Sequence, residues 1–316
     1  MSTLFKKPSE LSVTPTIKVL IYGQPGVGKS SLALSAPQPV LFDFDGGVQR
    51  VNSAFQCPTL QVNSWEEAVA AVEELRRGEV PCQSIVIDTA GKMLDYMADS
   101  IIRNNRQYLK KGGGLTLPGY GVRKAMFVNF IKTISVMGKH LVFVAHEREE
   151  KDGENKTVRP EIGGSSAGDL IKELDLVGYM EMTANGRTVG WSPDPKYYAK
   201  NTCNLPAKDA VGTIIDNEGR VVGENNFLTN VFNKYMADLS RQRQQRKRYD
   251  DLLTSFRKGV ESVTDADSAN NIFTKIESYD KHVWDSKAQA ERALQAKCQS
   301  LGLKFNTIDN KYESAA

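Results

Sequence analysis

One segment limits the fold of this chain more than any other. Gly23-Gln24-Pro25-Gly26-Val27-Gly28-Lys29-Ser30 fits the pattern GxxxxGK[ST]. It follows Ile17 to Tyr22 (IKVLIY), an apolar run rich in β-formers that reads as a buried strand. A helix is predicted from about Lys29 to Ser35, stopping before Pro37. Glycines let consecutive backbone N–H groups turn inward around phosphate oxygens. The helix that starts near Lys29 points its positive end at the same anion. Lys29 would neutralise β- and γ-phosphates, and the Ser30 hydroxyl would ligate Mg²⁺. The segment Gly23 to Ser31 is therefore the candidate cradle for ATP and Mg²⁺, against the alternative of a glycine-rich turn that holds no nucleotide.

The pattern around this loop repeats strand, then helix. Strands are predicted at Val40 to Phe44, Ser84 to Asp88 and His140 to Ala145. Helices are predicted from Asn63 or Ser64 to Arg77, from Lys92 to Tyr108 and from Gly119 to Met137. That alternation argues for an α/β fold with a mostly parallel central sheet. After His146 the pattern changes. Glu147 to Gly164 is polar and of mixed charge, and is expected to be a mobile loop. Ser165 to Glu173 reads as a helix. Leu176 to Met182, Thr188 to Trp191 and Lys196 to Lys200 read as short antiparallel strands. Residues 226 to 316 look almost entirely helical, with Phe256, Val260, Val263, Ile272, Ile276, Tyr279 and Leu294 as the apolar set. The expected domains are a flexible tail (1–15), an ATPase-type core (16–225), a basic linker helix (226–249) and a small helical domain (250–316).

Two acidic positions stand near the loop. Asp88 ends the strand SIVID and fits a carboxylate that holds Mg²⁺ through water, or one that caps the next helix. Asp43 and Asp45 follow the second strand, and alternation would put both on one face. Either could orient the water that attacks the γ-phosphate, or simply form the turn before Gly46-Gly47.

Charge and cysteine usage narrow the setting. Four scattered cysteines with no CxxC pair exclude a disulfide scaffold and suit a reducing cytoplasm. The longest apolar runs are strand-sized, and the N-terminus has no apolar signal core, so neither a membrane span nor a secretory signal is expected. The net charge is +3, but its placement is uneven. Ile101 to His146 holds eight basic residues and no acidic one. Arg241, Arg243, Arg246, Lys247 and Arg248 form a second basic zone, read as DNA-binding or as a solvated helix.

With these residues in place, positions 16 to 212 resemble RecA-type ATPases, closest to the phage-encoded single-strand-annealing (Sak) group. The features that carry the narrower likeness are KVLIYGQPGVGKSSLA, the DGG after the second strand and AHEREEKD after the last core strand. The resemblance implies a RecA-like P-loop core with a C-terminal helical appendage, and ATP hydrolysis between subunits of a homo-oligomer or filament. It makes Asp45 the catalytic acid, with Asp where the family carries Glu. It makes His146 the γ-phosphate sensor and Lys200 a residue that reaches a neighbour's ATP. It places single-stranded-DNA loops at Arg106 to Arg123 and at Glu147 to Gly164. Arg106, Lys110, Lys111, Arg123 and Lys124 would then contact phosphates, and Tyr108 and Tyr120 would stack on bases or pack in the core. The implied role is DNA recombination or strand annealing, with a single-strand-binding protein as a candidate partner of the C-terminal helices. Two alternatives stay open: an ATPase of another DNA machine, such as a helicase loader or packaging motor, and a slow ATP-binding switch.

Overall fold

The computed structural model describes residues 15–152, 155–163 and 166–314. Positions 1–14 of the expected tail and Gly164 at the end of the expected loop lie outside them. The chain divides into two compact units, one running to Tyr235 and one starting at Met236.

The first unit is built on one sheet. Its elements in order are β1 (Lys18–Gly23), α1 (Lys29–Ala33), β2 (Pro39–Asp43), β3 (Thr59–Gln61), α2 (Trp65–Arg77), β4 (Ser84–Asp88), α3 (Ala90–Asn104) and α4 (Leu117–Ser135). Then come β5 (His140–Asp152), β6 (Asn155–Pro160), α5 (Ser166–Glu173), β7 (Leu176–Thr183), β8 (Gly186–Gly190), β9 (Lys200–Asn201) and β10 (Lys208–Ala210). The main strand order is β10-β8-β7-β1-β5-β4-β2-β3. From β7 to β3 every pairing is parallel, while β8 and β10 add antiparallel strands at one edge.

Alternation along β1 explains why the sheet is buried on both faces. Leu20 and Tyr22 enter one core, and Val19 and Ile21 enter the other. β4 does the same with Ile85 and Ile87 against Val86. α2 shows how a covering helix is specified. The Ser64 side chain accepts from the Glu67 N–H, Glu66 and Glu67 occupy the first turn, and Gly78 follows in the left-handed region at φ +76°. Its buried residues Trp65, Ala68, Val72 and Leu75 recur at helical spacing and join the first core.

Three expectations are corrected here. Glu147 to Asp152 and Asn155 to Pro160 are paired antiparallel strands, because β5 runs on past the sheet and pairs with β6 from Glu147↔Pro160 to Asp152↔Asn155. Lys156–Glu149 and Arg159–Glu150 ion pairs join these strands, so their mixed charges form the pairing rather than solvate a loop. The helix expected to reach Tyr108 ends at Asn104, because the Asn105 side chain accepts from the Gln107 N–H and starts a separate 3-10 turn. The strand expected at Lys196 to Lys200 is only the two residues Lys200–Asn201.

The second unit contains the later part of α6 (Phe227–Glu261), with α7 (Ala266–Ser278), α8 (Ser286–Ser300), β11 (Leu303–Asn306) and β12 (Lys311–Ser314). α6 continues unbroken through the expected boundary at residue 249. The closing β11–β12 hairpin corrects the all-helical expectation. Val260, Val263, Ile276 and Leu294 are buried in a core with Leu303 and Tyr312 of the hairpin. No helix of the described residues is long and apolar enough to cross a membrane.

Candidate active site

The parallel strands end in one line. In register, Gly23 of β1 stands beside His146 of β5, and Asp88 of β4 stands beside Asp43 of β2. The loop of Gly23, Gln24, Pro25, Gly26, Val27 and Gly28 leaves β1 at this edge and enters α1. Gly23 has no room for a side chain, since a Cβ there would sit 2.2 Å from the Met180 carbonyl oxygen. Gly28 begins the helix at φ +103°, a conformation that favours glycine.

Lys29 is 6% exposed, and its Nζ donates to the Gln24 carbonyl at 2.7 Å. Burial pushes its pKa down, while the nearby carboxylates of Asp88, Glu147 and Asp45 pull it up. The Ser30 hydroxyl donates to Asp88 Oδ2 at 2.5 Å, across 58 positions of sequence. Burial raises the Asp88 pKa; the Ser30 bond opposes this, and Asp43 and Asp45 add to it. The structure thus brings together Lys29, Ser30 and Asp88.

No group of three or more His, Cys, Asp or Glu among the described residues could hold a metal. One hydroxyl against one carboxylate is instead the set expected for Mg²⁺, which keeps several waters and takes further oxygens from phosphates. The residues fit it: Ser30 would hold the ion directly and Asp88 through water. Such an ion supplies charge compensation for the phosphates.

The two aspartates after β2 behave differently from the expectation of a shared face. β2 ends at Asp43, so strand alternation does not reach Asp45. Asp43 is buried and accepts from the N–H groups of Gly47 and Val48 at 2.9 and 3.0 Å, which makes it the turn-former. Asp45 Oδ2 accepts from Arg50 Nη2 at 3.0 Å. Midway along β5, where the strand leaves the central sheet for the hairpin, His146 Nδ1 and Glu147 Oε2 are buried with no hydrogen-bond partner.

Lys200 is half-buried. Its Nζ donates to the carbonyls of Ile171 and Leu174, at 3.0 and 2.5 Å, and closes the end of α5. Of the five basic residues expected on DNA, Arg106, Lys110 and Lys111 are exposed and form no ion pair among the described residues. Lys110 and Lys111 lie on a tight loop closed by the Leu109↔Leu115 bridge, and Arg106 lies on the 3-10 turn just before it. Arg123 is 8% exposed with its guanidinium 4.9 Å from the Tyr120 ring centre, and Lys124 pairs with Asp169 at 3.0 Å. Those two serve the fold around α4 and α5. In the second unit, Arg241 pairs with Asp238, Arg246 with Asp250, and Arg248 donates to the Lys281 carbonyl.

Two site residues escape a reading of the sequence. Arg187, on the edge hairpin of β7 and β8, donates from Nε to the Val27 carbonyl at 2.9 Å. It also lines a cavity of 820 Å³ with Gly28, Ser31, Asp209, Asn225 and Phe227. Glu147 is the other; its only signal is a place one residue beyond His146.

With that geometry described, the family model for the AAA domain matches residues 16–203. The chain belongs to the AAA domain family. The match spans β1 to β9 and so contains Lys29, Ser30 and Asp88. No curated protein matches the sequence. Among solved structures, a KaiC-like protein from the hyperthermophilic archaeon Pyrococcus horikoshii is similar at 9% identity, over 55% of this chain and 77% of that one, with a TM-score of 0.33. This AAA domain protein is a P-loop ATPase with an α/β core built on a mostly parallel sheet.

Proposed function

We propose that this AAA domain protein hydrolyses ATP to ADP and phosphate, binds single-stranded DNA and couples the two as a homo-oligomer or filament in recombination or strand annealing. The observation that carries the hydrolytic part is the Ser30–Asp88 contact at 2.5 Å beside the buried Lys29. DNA enters through the acid-free stretch Ile101 to His146, whose exposed loop offers Arg106, Lys110 and Lys111 to phosphates. Tyr120, 47% exposed, supports stacking beside that loop.

The test is phosphate release with and without single-stranded DNA at low salt. The expected result is stimulation by DNA in the wild type, none in the double variant Lys110→Glu/Lys111→Glu, and no turnover in Lys29→Ala. Unchanged turnover with DNA, together with no DNA binding in an ATP analogue, would sink the DNA half. A second reading, a slow nucleotide switch, draws on one observation: the expected catalytic acid Asp45 is engaged with Arg50.

A further inference from the structure

The carboxylates around the loop can be sorted by what already occupies them. Asp43 holds two backbone N–H groups of its turn. Asp88 accepts the Ser30 hydroxyl. Asp45 is bound to Arg50. Glu147 differs from all three. Its Oε2 is buried without a hydrogen-bond partner, one residue past the part of β5 that pairs with β1. Lys29 of the loop and Tyr22 feel its charge, the Tyr179 hydroxyl shares a hydrogen bond with the carboxylate, and the preceding residue, His146, pairs in register with Gly23, where the loop begins. Its neighbour His146 carries a second unpartnered buried atom, Nδ1.

A buried carboxylate oxygen left unpaired costs about 1–3 kcal/mol or more. Beside a ligand-binding loop, a bound molecule or water is one way to complete such a group. The outside group must bring a hydrogen-bond donor, because an ionised carboxylate only accepts. A nucleotide's phosphates bring none, but the water that attacks them does.

We propose that Glu147 is the catalytic carboxylate of this site and holds the attacking water. This rests on the ATPase reading above. The Glu147 carboxylate accepts a hydrogen bond from the water and takes its proton as the water oxygen bonds to the γ-phosphorus. The bond from that phosphorus to the β–γ bridging oxygen breaks, and its electron pair leaves with ADP. The proton then passes to the released phosphate or to solvent. A hydrolytic role for Glu147 also gives the β5–β6 hairpin a direct link to the nucleotide, since Glu147 is its first paired residue.

The deciding experiment compares Glu147→Gln, Glu147→Asp and Asp45→Asn in the full chain. Steady-state phosphate release is measured beside equilibrium binding of a non-hydrolysable fluorescent ATP analogue. Glu147→Gln is expected to lose about 100-fold or more in kcat, with KM and analogue affinity within about threefold of wild type. Glu147→Asp should recover part of the loss and serves as the deciding variant if the amide does not fold. A loss of about 100-fold in Asp45→Asn with Glu147→Gln near wild type would assign the water to Asp45 and overturn the proposal. A Glu147→Gln variant at wild-type kcat overturns the proposal. So does one that loses analogue binding in step with turnover, for then Glu147 only positions Lys29. If wild type and Lys29→Ala release phosphate equally, the ATPase reading fails instead.

Discussion

The end of β2 and the point where β5 leaves the central sheet both lie at the phosphate-binding edge, and they use their polar side chains in opposite ways. At the β2 end, Asp43 ties down the turn through Gly47 and Val48, and Asp45 pairs with Arg50. Where β5 leaves the central sheet, His146 Nδ1 and Glu147 Oε2 are enclosed and unpaired. Satisfied groups hold a fold together, and their removal is read in stability. Unsatisfied buried groups cost the empty protein stability and are completed by what binds, so their removal is read in turnover. The contrast therefore separates acids occupied by the fold from one with a free acceptor atom, although both stand beside the same sheet edge.

Three substitutions break or sharpen that contrast. The largest effect is expected from Asp88→Asn, which lies between the two regions. Turnover should fall about 100-fold with the loss of the charged Mg²⁺ partner. The unfolding midpoint of the nucleotide-free protein should rise, because burial penalises the Asp88 carboxylate. A fall in the midpoint would mean that Asp88 is structural after all. Next, Asp43→Ala should cost about 1–3 kcal/mol in urea unfolding, since two turn N–H groups lose their acceptor. Residual turnover per folded molecule should remain, and its loss would move chemistry back to β2. The smallest effect is expected from Arg50→Ala. The Asp45 partner is exposed on this side, so the pair contributes less than about 1 kcal/mol, and phosphate release should be unchanged. A gain in turnover would show that Arg50 restrains Asp45 from catalysis and would favour the switch reading.

Several elements could be read along the chain because their signals are local. The loop from Gly23 to Ser30 carries its glycines, lysine and hydroxyl within one turn, and the apolar run before it can only be buried. β4 was legible for the same reason, as were α2 and its cap at Ser64. The β5–β6 hairpin was hidden because it has no apolar period; backbone bonds and cross-strand charge pairs hold it, and both look like loop chemistry in sequence. The β11–β12 hairpin buries Leu303 and Tyr312 with no alternating run to announce them. Lys200 and Arg187 look like ordinary surface charges until the fold sets carbonyl acceptors beside them.

The amino-acid sequence by itself determined the class of chemistry: a strand, a phosphate-binding loop and a helix, with an acid at the end of a later buried strand. It could do so because each of those signals is complete within a few consecutive residues. Which acid is free for catalysis was decided only in the tertiary structure. Asp43, Asp45, Asp88 and Glu147 are the same kind of group in sequence, and they diverge through partners that lie from 4 to 58 positions away, or through an oxygen that has none. Burial and hydrogen-bond occupancy belong to three-dimensional neighbours, so only the folded sheet edge distinguishes a carboxylate that builds a turn from one that is left to meet a ligand.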